Sequence, residues 1–399
     1  TFTKVYMKQI TFSDLQQQSE QAANSPRLRA HRNLHPELSD PVQRLAIAME
    51  PGTYVRPHRH PHTFELLTAL SGRFLVLNFD DSGNVTQRVV LGEDCKVLEM
   101  DAGTWHAVLS LDKGGIVYRL DPTTLEVTQI IHNDLKPFGA TINNATQTLW
   151  FGNTTDSTVT AIDAKTGKVK GRLVLDARQR SETVRPLAPR ELAVNEKTNT
   201  VYITGLGKES VIWVVDGDKL TLKDTIANTG AMATGLAVDA EANRIYTTNA
   251  DGELVTIDST SNKILSRKKL QDDGKEHFYL NLSLDTAGHR AFITDSKQPE
   301  VLVVDIRDGK VLEKIAAPES LAVLFNPTRN EAYVTHRKAG EVSVIDGKSY
   351  KVVKTFKTPT HPNSLMLSAD GKTLYVSVKQ ESTRQKEATQ PDDVIRIAL

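Results

Sequence analysis

The sequence predicts an all-β chain, a small antiparallel barrel followed by a seven-bladed β-propeller with an atypical first blade. Three observations carry that expectation. Short apolar runs of strand type recur along the 399 residues between Gly, Pro, Asn and Asp turn signals. From about residue 112 these runs repeat with a period of about 45, four strands to a unit, which is the signature of a propeller. Between them, Val97 to Asp121 (VLEMDAGTWHAVLSLDKGGIVYRLD) belongs to both patterns at once, ending the first and opening the second.

Length and composition set the frame. A domain holds about 100 to 200 residues, so 399 residues call for two or three units, or for one small unit plus a repeat array. Lys+Arg and Asp+Glu are 49 each, so the surface as a whole has no pull on nucleic acid or anionic membrane, and any such binding must be local. A single cysteine, Cys95, excludes an internal disulfide framework. No run approaches the ~18 apolar residues of a membrane span. The opening TFTKVYMKQITF lacks a charged segment followed by an apolar one, so no export signal is read and the chain as written is cytoplasmic. Met7 looks like an original start, with residues 1–6 an added leader or tag.

In the first unit, residues 7–111, Ser13 is the expected N-cap of a short helix over Asp14 to Asn24, closed by Pro26. From Arg44 onward RLAIAME, TFELLTALS, RFLVLNF and TQRVVLG read as strands of a barrel or jelly roll. The chemistry lies in PGTYVRPHRHPHTFELLTALSG. His58 and His60, two apart on a strand, point to one face, where neutral imidazoles can chelate a cation while Glu65 comes in from the next strand. His106 follows Gly103 by three residues. The alternative is a solvated loop in which these histidines, with His62, Arg56 and Arg59, have no common partner.

This spacing resembles the two motifs of the cupin family, a glycine, HxH, Glu and glycine followed by PxGxxH. Residues 7–111 are similar more closely to the WbuC-type cupin metalloproteins found with bacterial O-antigen polysaccharide genes. The resemblance implies a jelly-roll barrel holding one divalent metal ion (Fe, Mn, Ni or Zn) on His58, His60, Glu65 and His106, in a sugar-linked context without an assigned reaction. Asp101 stands where that family has proline and Ser110 where asparagine often follows, which weakens His106 as a ligand. Three nitrogens and one carboxylate leave positions open on an octahedral ion. Two readings follow, a metal-binding module without catalysis and a metalloenzyme acting on a sugar or small oxygenated substrate. Asp94 and Glu99 read as surface charges, and His31 and His35 as structural.

In the second unit, residues 112–399, strands ending in aspartate recur at Asp121, Asp163, Asp216, Asp258, Asp305 and Asp346, and VIRIA closes the series with Ala398 in the aspartate position. Six are preceded by a strand of aromatic-x-Thr type: LWFGN, VYITG, IYTTN, AFITD, AYVTH and LYVSV. Ahead of each lies a small apolar strand, and after Asp163, Asp216, Asp258, Asp305 and Asp346 a lysine-bearing outer strand. Asp followed by Ala-Lys-Thr-Gly or Ser-Thr-Ser-Asn bonds the backbone of its own turn, so these aspartates are scaffold. The first blade has its outer strands, VYRLD and EVTQII, but first-unit sequence in place of the inner ones. HAVLS is the alternative second strand, at the expense of the barrel.

The aromatic-x-Thr strands resemble YVTN-type repeats, and the half as a whole is similar to the YncE-like propellers. That resemblance implies a periplasmic protein linked to single-stranded DNA binding. The chain then reads as a fusion of two bacterial families. The long connections Ala177 to Pro189, Gln271 to Phe278 and Lys379 to Asp393 fall on the end where inner strands begin, the expected binding face. Arg178, Arg180, Arg185, Arg190, Lys379 and Arg384 lie there to hold phosphates, with Trp213 or Phe138 to stack a base; a protein partner or a solvated charged rim is the alternative. His132, His277, His336 and His361 map to the same face from different blades, without the spacing of a second metal site. No catalytic residue is assigned.

Overall fold

The computed structural model of the chain describes residues 7–92, 94–112, 115–133, 136–178, 183–381 and 388–399. The leader at 1–6 and two of the loop-face arginines, Arg180 and Arg384, lie outside them. Two compact units result, Thr1–Arg119 with Val127–Pro137, and Leu120–Glu126 with Phe138–Leu399.

The first unit opens with helix α1, Phe12–Ala23. Its N-cap is Thr11 rather than Ser13, because Asp14 then falls at the third helical position and the two side chains satisfy each other's backbone N–H groups in a capping box. Gln18, buried on α1, donates to the carbonyls of Ala30 (3.1 Å) and Ala46 (2.7 Å), which pins the helix to a two-stranded ribbon of β1 (Arg29–Asn33) and β2 (Leu45–Met49). Next come β3 (Glu65–Thr68), β4 (Arg73–Phe79), β5 (Val85–Leu91), β6 (Val97–Met100) and β7 (Trp105–Asp112). They pair as β3 with β6, and as a three-stranded sheet in the order β5-β4-β7. Val76, Leu91 and Met100 form the buried centre, with Leu67, Phe74, Leu98 and Val108 against it.

One expectation is corrected here and one open choice is decided. Among the described residues no closed barrel forms, because β3 and β6 spend their short edges on each other and β5 and β7 end their sheet with no further strand, each carrying only a single bridge, Leu91–Cys95 and His106–His58. Alternating hydrophobicity predicts strands but does not choose their neighbours. The seam strand HAVLS, which had two possible homes, is in β7, with Val108 opposite Val76 and His106 opposite Asn78. Among the described residues β8 (Gly115–Leu120) therefore pairs with β9 (Val127–Asn133) alone, and the first repeat member is a two-stranded ribbon there.

The second unit is built of antiparallel sheets in sequence order. Five have four strands, beginning at Pro137–Asn143, Ala188–Asn195, Gly235–Asp239, Tyr279–Asp285 and Ser320–Asn326; the last, Pro362–Leu367, Thr373–Val378 and Asp393–Ala398, has three. From the second sheet to the sixth, each inner strand packs against the inner strand of the next, the radial arrangement of a propeller. Second-strand aromatics Trp150, Tyr202, Tyr246, Phe292 and Tyr333 are buried between sheets, where an aromatic ring removes the most apolar surface from water.

The threonine of the aromatic-x-Thr pattern has a separate task. Inner strands bulge between Pro189 and Leu192, Tyr279 and Asn281, Ser320 and Val323, and Pro362 and Ser364, which takes a backbone N–H off the ladder. The hydroxyls of Thr204, Thr294, Thr335 and Ser377 accept those N–H groups, from Glu191, Asn281, Ala322 and Ser364. The aspartates at the ends of third strands cap turns as expected: Asp163 accepts from the N–H groups of Lys165 and Thr166, Asp216 from Asp218 and Lys219, Asp346 from Lys348 and Ser349. These bonds favour the ionised form and hold the carboxyls below their ordinary range.

Candidate metal centre and the propeller loop face

In the first unit, Pro57 and Pro61 bracket the HxH segment. A proline restricts the residue before it to extended backbone, so Arg56 and His60 are held out of helix. His58 and His106 exchange two backbone hydrogen bonds, 3.0 and 2.9 Å, and the Gly103 N–H donates to the His60 carbonyl at 2.8 Å. Residues opposed in this way project side chains to one face, and the rings of His58 and His106 stand 4.4 Å apart between centroids. His60 is 5.1 Å from His58 and 5.6 Å from His106. Gly103, at φ 84, makes the turn that starts β7 at the height of the HxH segment without the proline that the cupin pattern would place at 101.

Glu65, the first residue of β3, completes the group: the ligand atoms of His58, His60, Glu65 and His106 all lie within 4.8 Å of one another. Second contacts fix the rings. His58 Nδ1 is 3.0 Å from the Arg56 carbonyl and His106 Nδ1 is 3.0 Å from the Thr104 carbonyl; a carbonyl only accepts, so each Nδ1 carries the proton. In the neutral ring that leaves the Nε2 lone pair for a ligand, the tautomer a metal-binding histidine needs. Glu65 Oε2 approaches His106 Nε2 at 2.8 Å and His60 Nε2 at 3.3 Å. The close pair lies off the hydrogen-bonding direction, and both atoms are buried without a hydrogen-bond partner. Two acceptors that close need a cation between them, either a proton or a metal ion, and the donor set of three nitrogens and one carboxylate fits a divalent ion.

The electrostatics agree. Burial pushes the Glu65 carboxyl up, yet His106, His60 and His58 together hold it below its usual range. His106 is disfavoured as a cation by burial, but the Glu65 carboxylate and the Thr104 carbonyl raise its pKa. Beside the cluster, Arg59 stacks on Trp105 at 4.8 Å and reaches Asp81, to which Trp105 Nε1 also donates. His35 is buried against the Arg44 backbone, a structural role. Asp94 accepts the Val90 N–H in a turn.

On the propeller, the structure separates the expected loop-face residues. Trp213 is corrected: it is 3% exposed and packs in the core over Gly205, where even a methyl group would meet its ring at 2.6 Å, so it offers no stacking surface. Phe138 is 41% exposed and does. Arg190 stacks on it at 4.0 Å and the Lys379 ammonium stands 5.2 Å from the same ring. Arg337, which the sequence reading passed over, donates to the Asn363 side chain and to the Lys379 carbonyl. It follows the aromatic-x-Thr strand directly, and its position after a repeat strand was the available signal. Arg178 is held in a fork by Asp176, and Arg185 is exposed. His336 bonds the Pro318 carbonyl and Ser343.

Comparisons with known proteins divide the chain similarly. Residues 10–91 match a family described as "Domain of unknown function (DUF6016)", a span that includes His58, His60 and Glu65 but not His106. Residues 100–389 match the family described as "YNCE-like beta-propeller", so this match takes in β7, whose backbone is bonded to β4 of the first unit. A Salmonella typhimurium protein called "Uncharacterized protein YncE" is 79% identical over 289 residues, 72% of this chain and 82% of that protein. Proteins of the same description from Salmonella typhi and Escherichia coli K12 are 78% and 79% identical over the same shares. With its repeat strands, radial sheets and these matches in agreement, the chain belongs to the YNCE-like β-propeller family.

Proposed function

We propose that this is a binding protein whose first unit holds one divalent metal ion on His58, His60, Glu65 and His106. The observation that carries the reading is the pair of buried, facing acceptors, His106 Nε2 and Glu65 Oε2, in a cluster whose rings are oriented by backbone carbonyls. The ion would be held by the three imidazoles and the carboxylate and would supply a Lewis-acid centre. This chain's own part is to orient the rings so that the Nε2 atoms of His58 and His106 turn away from the backbone carbonyls that hold Nδ1. In this reading the first unit is a cupin of the WbuC type with its barrel left open, and the β8–β9 ribbon is the outer half of the first of seven blades. The test is metal content by mass spectrometry of the full chain and of its His58→Ala/His60→Ala variant. About one equivalent more metal in the parent than in the variant supports the reading; equal content in both ends it.

A second function has its own observation. Arg190 and Lys379 bracket the exposed ring of Phe138 at the end of the propeller where inner strands begin. Cations that hold phosphates beside an aromatic face that stacks a base form a site for single-stranded nucleic acid. Anisotropy of a labelled oligonucleotide across a salt series tests it. Binding that weakens with salt and falls further in Phe138→Ala supports it, and binding indifferent to Phe138, Arg190 and Lys379 removes it.

A further inference from the structure

A second histidine cluster lies inside the propeller, in the sheet of Tyr279–Asp285, Arg290–Asp295 and Glu300–Asp305. The connection ahead of it carries Gln271, Asp273 and His277. His277 is buried, and its two ring nitrogens face different carboxylates: Nδ1 is 2.7 Å from Asp295 Oδ2 and Nε2 is 2.8 Å from Asp273 Oδ1. Asp295 is itself fully buried, and its other oxygen accepts the N–H groups of Phe278 and Lys297. Glu300 stands at the same spot, with the ligand atoms of His277, Asp295 and Glu300 within 4.8 Å of one another.

Three carboxylates thus converge on one imidazole. Even with the ring protonated the group keeps two excess negative charges; Asp295 is fully buried while Asp273 and Glu300 are partly exposed, and a buried charge needs a partner. Gln271 adds an independent observation. It is 94% buried (6% exposed); its Nε2 donates to Glu300 Oε1 at 2.7 Å and to Tyr279 Oη at 3.1 Å and sits 3.4 Å from His277 Nδ1, while its Oε1 is buried with no partner. Turning the amide over would bring that oxygen beside Glu300, His277 Nδ1 and the Tyr279 hydroxyl, where it can accept from Tyr279 or serve as a ligand to a cation.

We propose that His277 Nδ1, Asp295, Glu300 and the turned Gln271 amide oxygen bind one zinc-like divalent cation. Asp273 is then the outer carboxylate that accepts the His277 Nε2–H and fixes the tautomer, the usual partner of a metal-bound histidine. Nitrogen and oxygen ligands numbering four suit tetrahedral zinc, and a set this buried makes the site structural. The ion fastens the connection at 271–278 to the end of one strand, at Asp295, and the start of the next, at Glu300, on the end of the propeller that also carries Phe138.

The experiment uses the full chain carrying His58→Ala/His60→Ala, which silences the first unit, and titrates it with Zn2+ by calorimetry. One equivalent bound is the expected result, whatever the first unit does in the parent chain. Glu300→Gln, on a partly exposed side chain that keeps its volume, is expected to weaken zinc at least tenfold. Asp273→Asn is expected to weaken it roughly 10- to 100-fold, as outer partners of metal-bound histidines do. No zinc uptake in the silenced chain, or uptake unmoved by both substitutions in variants with parental circular dichroism, overturns the proposal. So does a His277 ring that keeps both protons, by nitrogen NMR, with zinc in excess.

Discussion

The two units solve the same problem, burying the faces of short antiparallel strands, with unequal resources. In the propeller the four middle sheets are covered on both faces, and the core runs through five successive clusters that contain Trp150, Tyr202, Tyr246, Phe292 and Tyr333. The first unit has one cluster centred on Val76, Leu91 and Met100, and leaves Leu45, Ile47, Phe64, Leu66 and Leu109 in contact with solvent. Repetition lets every element be both support and supported. A small unit of ribbons has to obtain rigidity from local ties, and in this one the ties converge on the histidine cluster.

The most direct way to break this comparison is to cut equally into both cores. Phe292 is fully buried, stacked on Phe325 at 5.5 Å and beneath the Arg290 guanidinium. Phe292→Ala is expected to cost about 3–5 kcal/mol by denaturant midpoint. Met100→Ala, in the smaller core, is expected near the low end of its class, about 2 kcal/mol, because half-exposed neighbours can close on the gap. Equal losses would mean that the first unit is packed as tightly as the propeller.

A carboxylate inside the propeller gives the next effect. Burial of Glu191 on an inner strand, offset only in part by Arg190, raises its pKa to about 7. The folded chain therefore keeps a proton that the unfolded chain releases near pH 4.5. Stability falls as pH rises between those two values and stays at its lower level above the second. Glu191→Gln removes the penalty: no gain is expected at pH 4, and at pH 8 a gain of at most about 3 kcal/mol, less where water reaches the side chain. A gain independent of pH would show that shape and not charge is at issue.

Metal removal probes the other unit. If the ion is present at a hundredfold over its dissociation constant, it contributes about 2.7 kcal/mol to the unit that binds it. Chelation in the chain as it stands is then expected to speed amide exchange in β4 and β7 on the order of a hundredfold. The sheets that begin at Gly235–Asp239 and Ser320–Asn326, which hold no part of either histidine cluster, are expected to keep their protection. Loss of protection there as well would mean that the units do not differ in what holds them.

How much was legible follows the same division. The repeats announced the propeller because each strand type recurs with its reason attached: aromatics to fill between sheets, aspartates to close turns. The HxH and Glu pattern brought three candidate ligands together because alternation fixes faces over a few residues. His106 was reachable only through the motif, since nothing local says that β7 lies against residues 58–60. Strand neighbours were not legible, which is why the barrel was expected closed and HAVLS had two homes. Trp213 looked like a stacking surface because a sequence does not show on which side of a sheet an aromatic lies. Asp273, Asp295 and Glu300 escaped because they reach His277 from a connection and two strand ends, at spacings no ligand motif uses.

The smallest effect tests whether the repeat aspartates are scaffold in each turn. Asp163 accepts two backbone N–H groups and the Thr166 hydroxyl while exposed to water. Its carboxylate benefit is present above the unfolded value of 3.8 and is lost as pH falls through the lower folded value. Asp163→Ala is expected to lower the melting temperature at pH 7 by less than either core truncation. Asp163→Asn keeps an acceptor in place and is expected to lose less still. Asp163 and Asp346 cap turns in different sheets, so losses at distant sites with no shared partner should add. If the double variant loses far more than the two singles together, the turns are coupled through the packing of the sheets, and the repeat is a single cooperative body and not a chain of separately closed units.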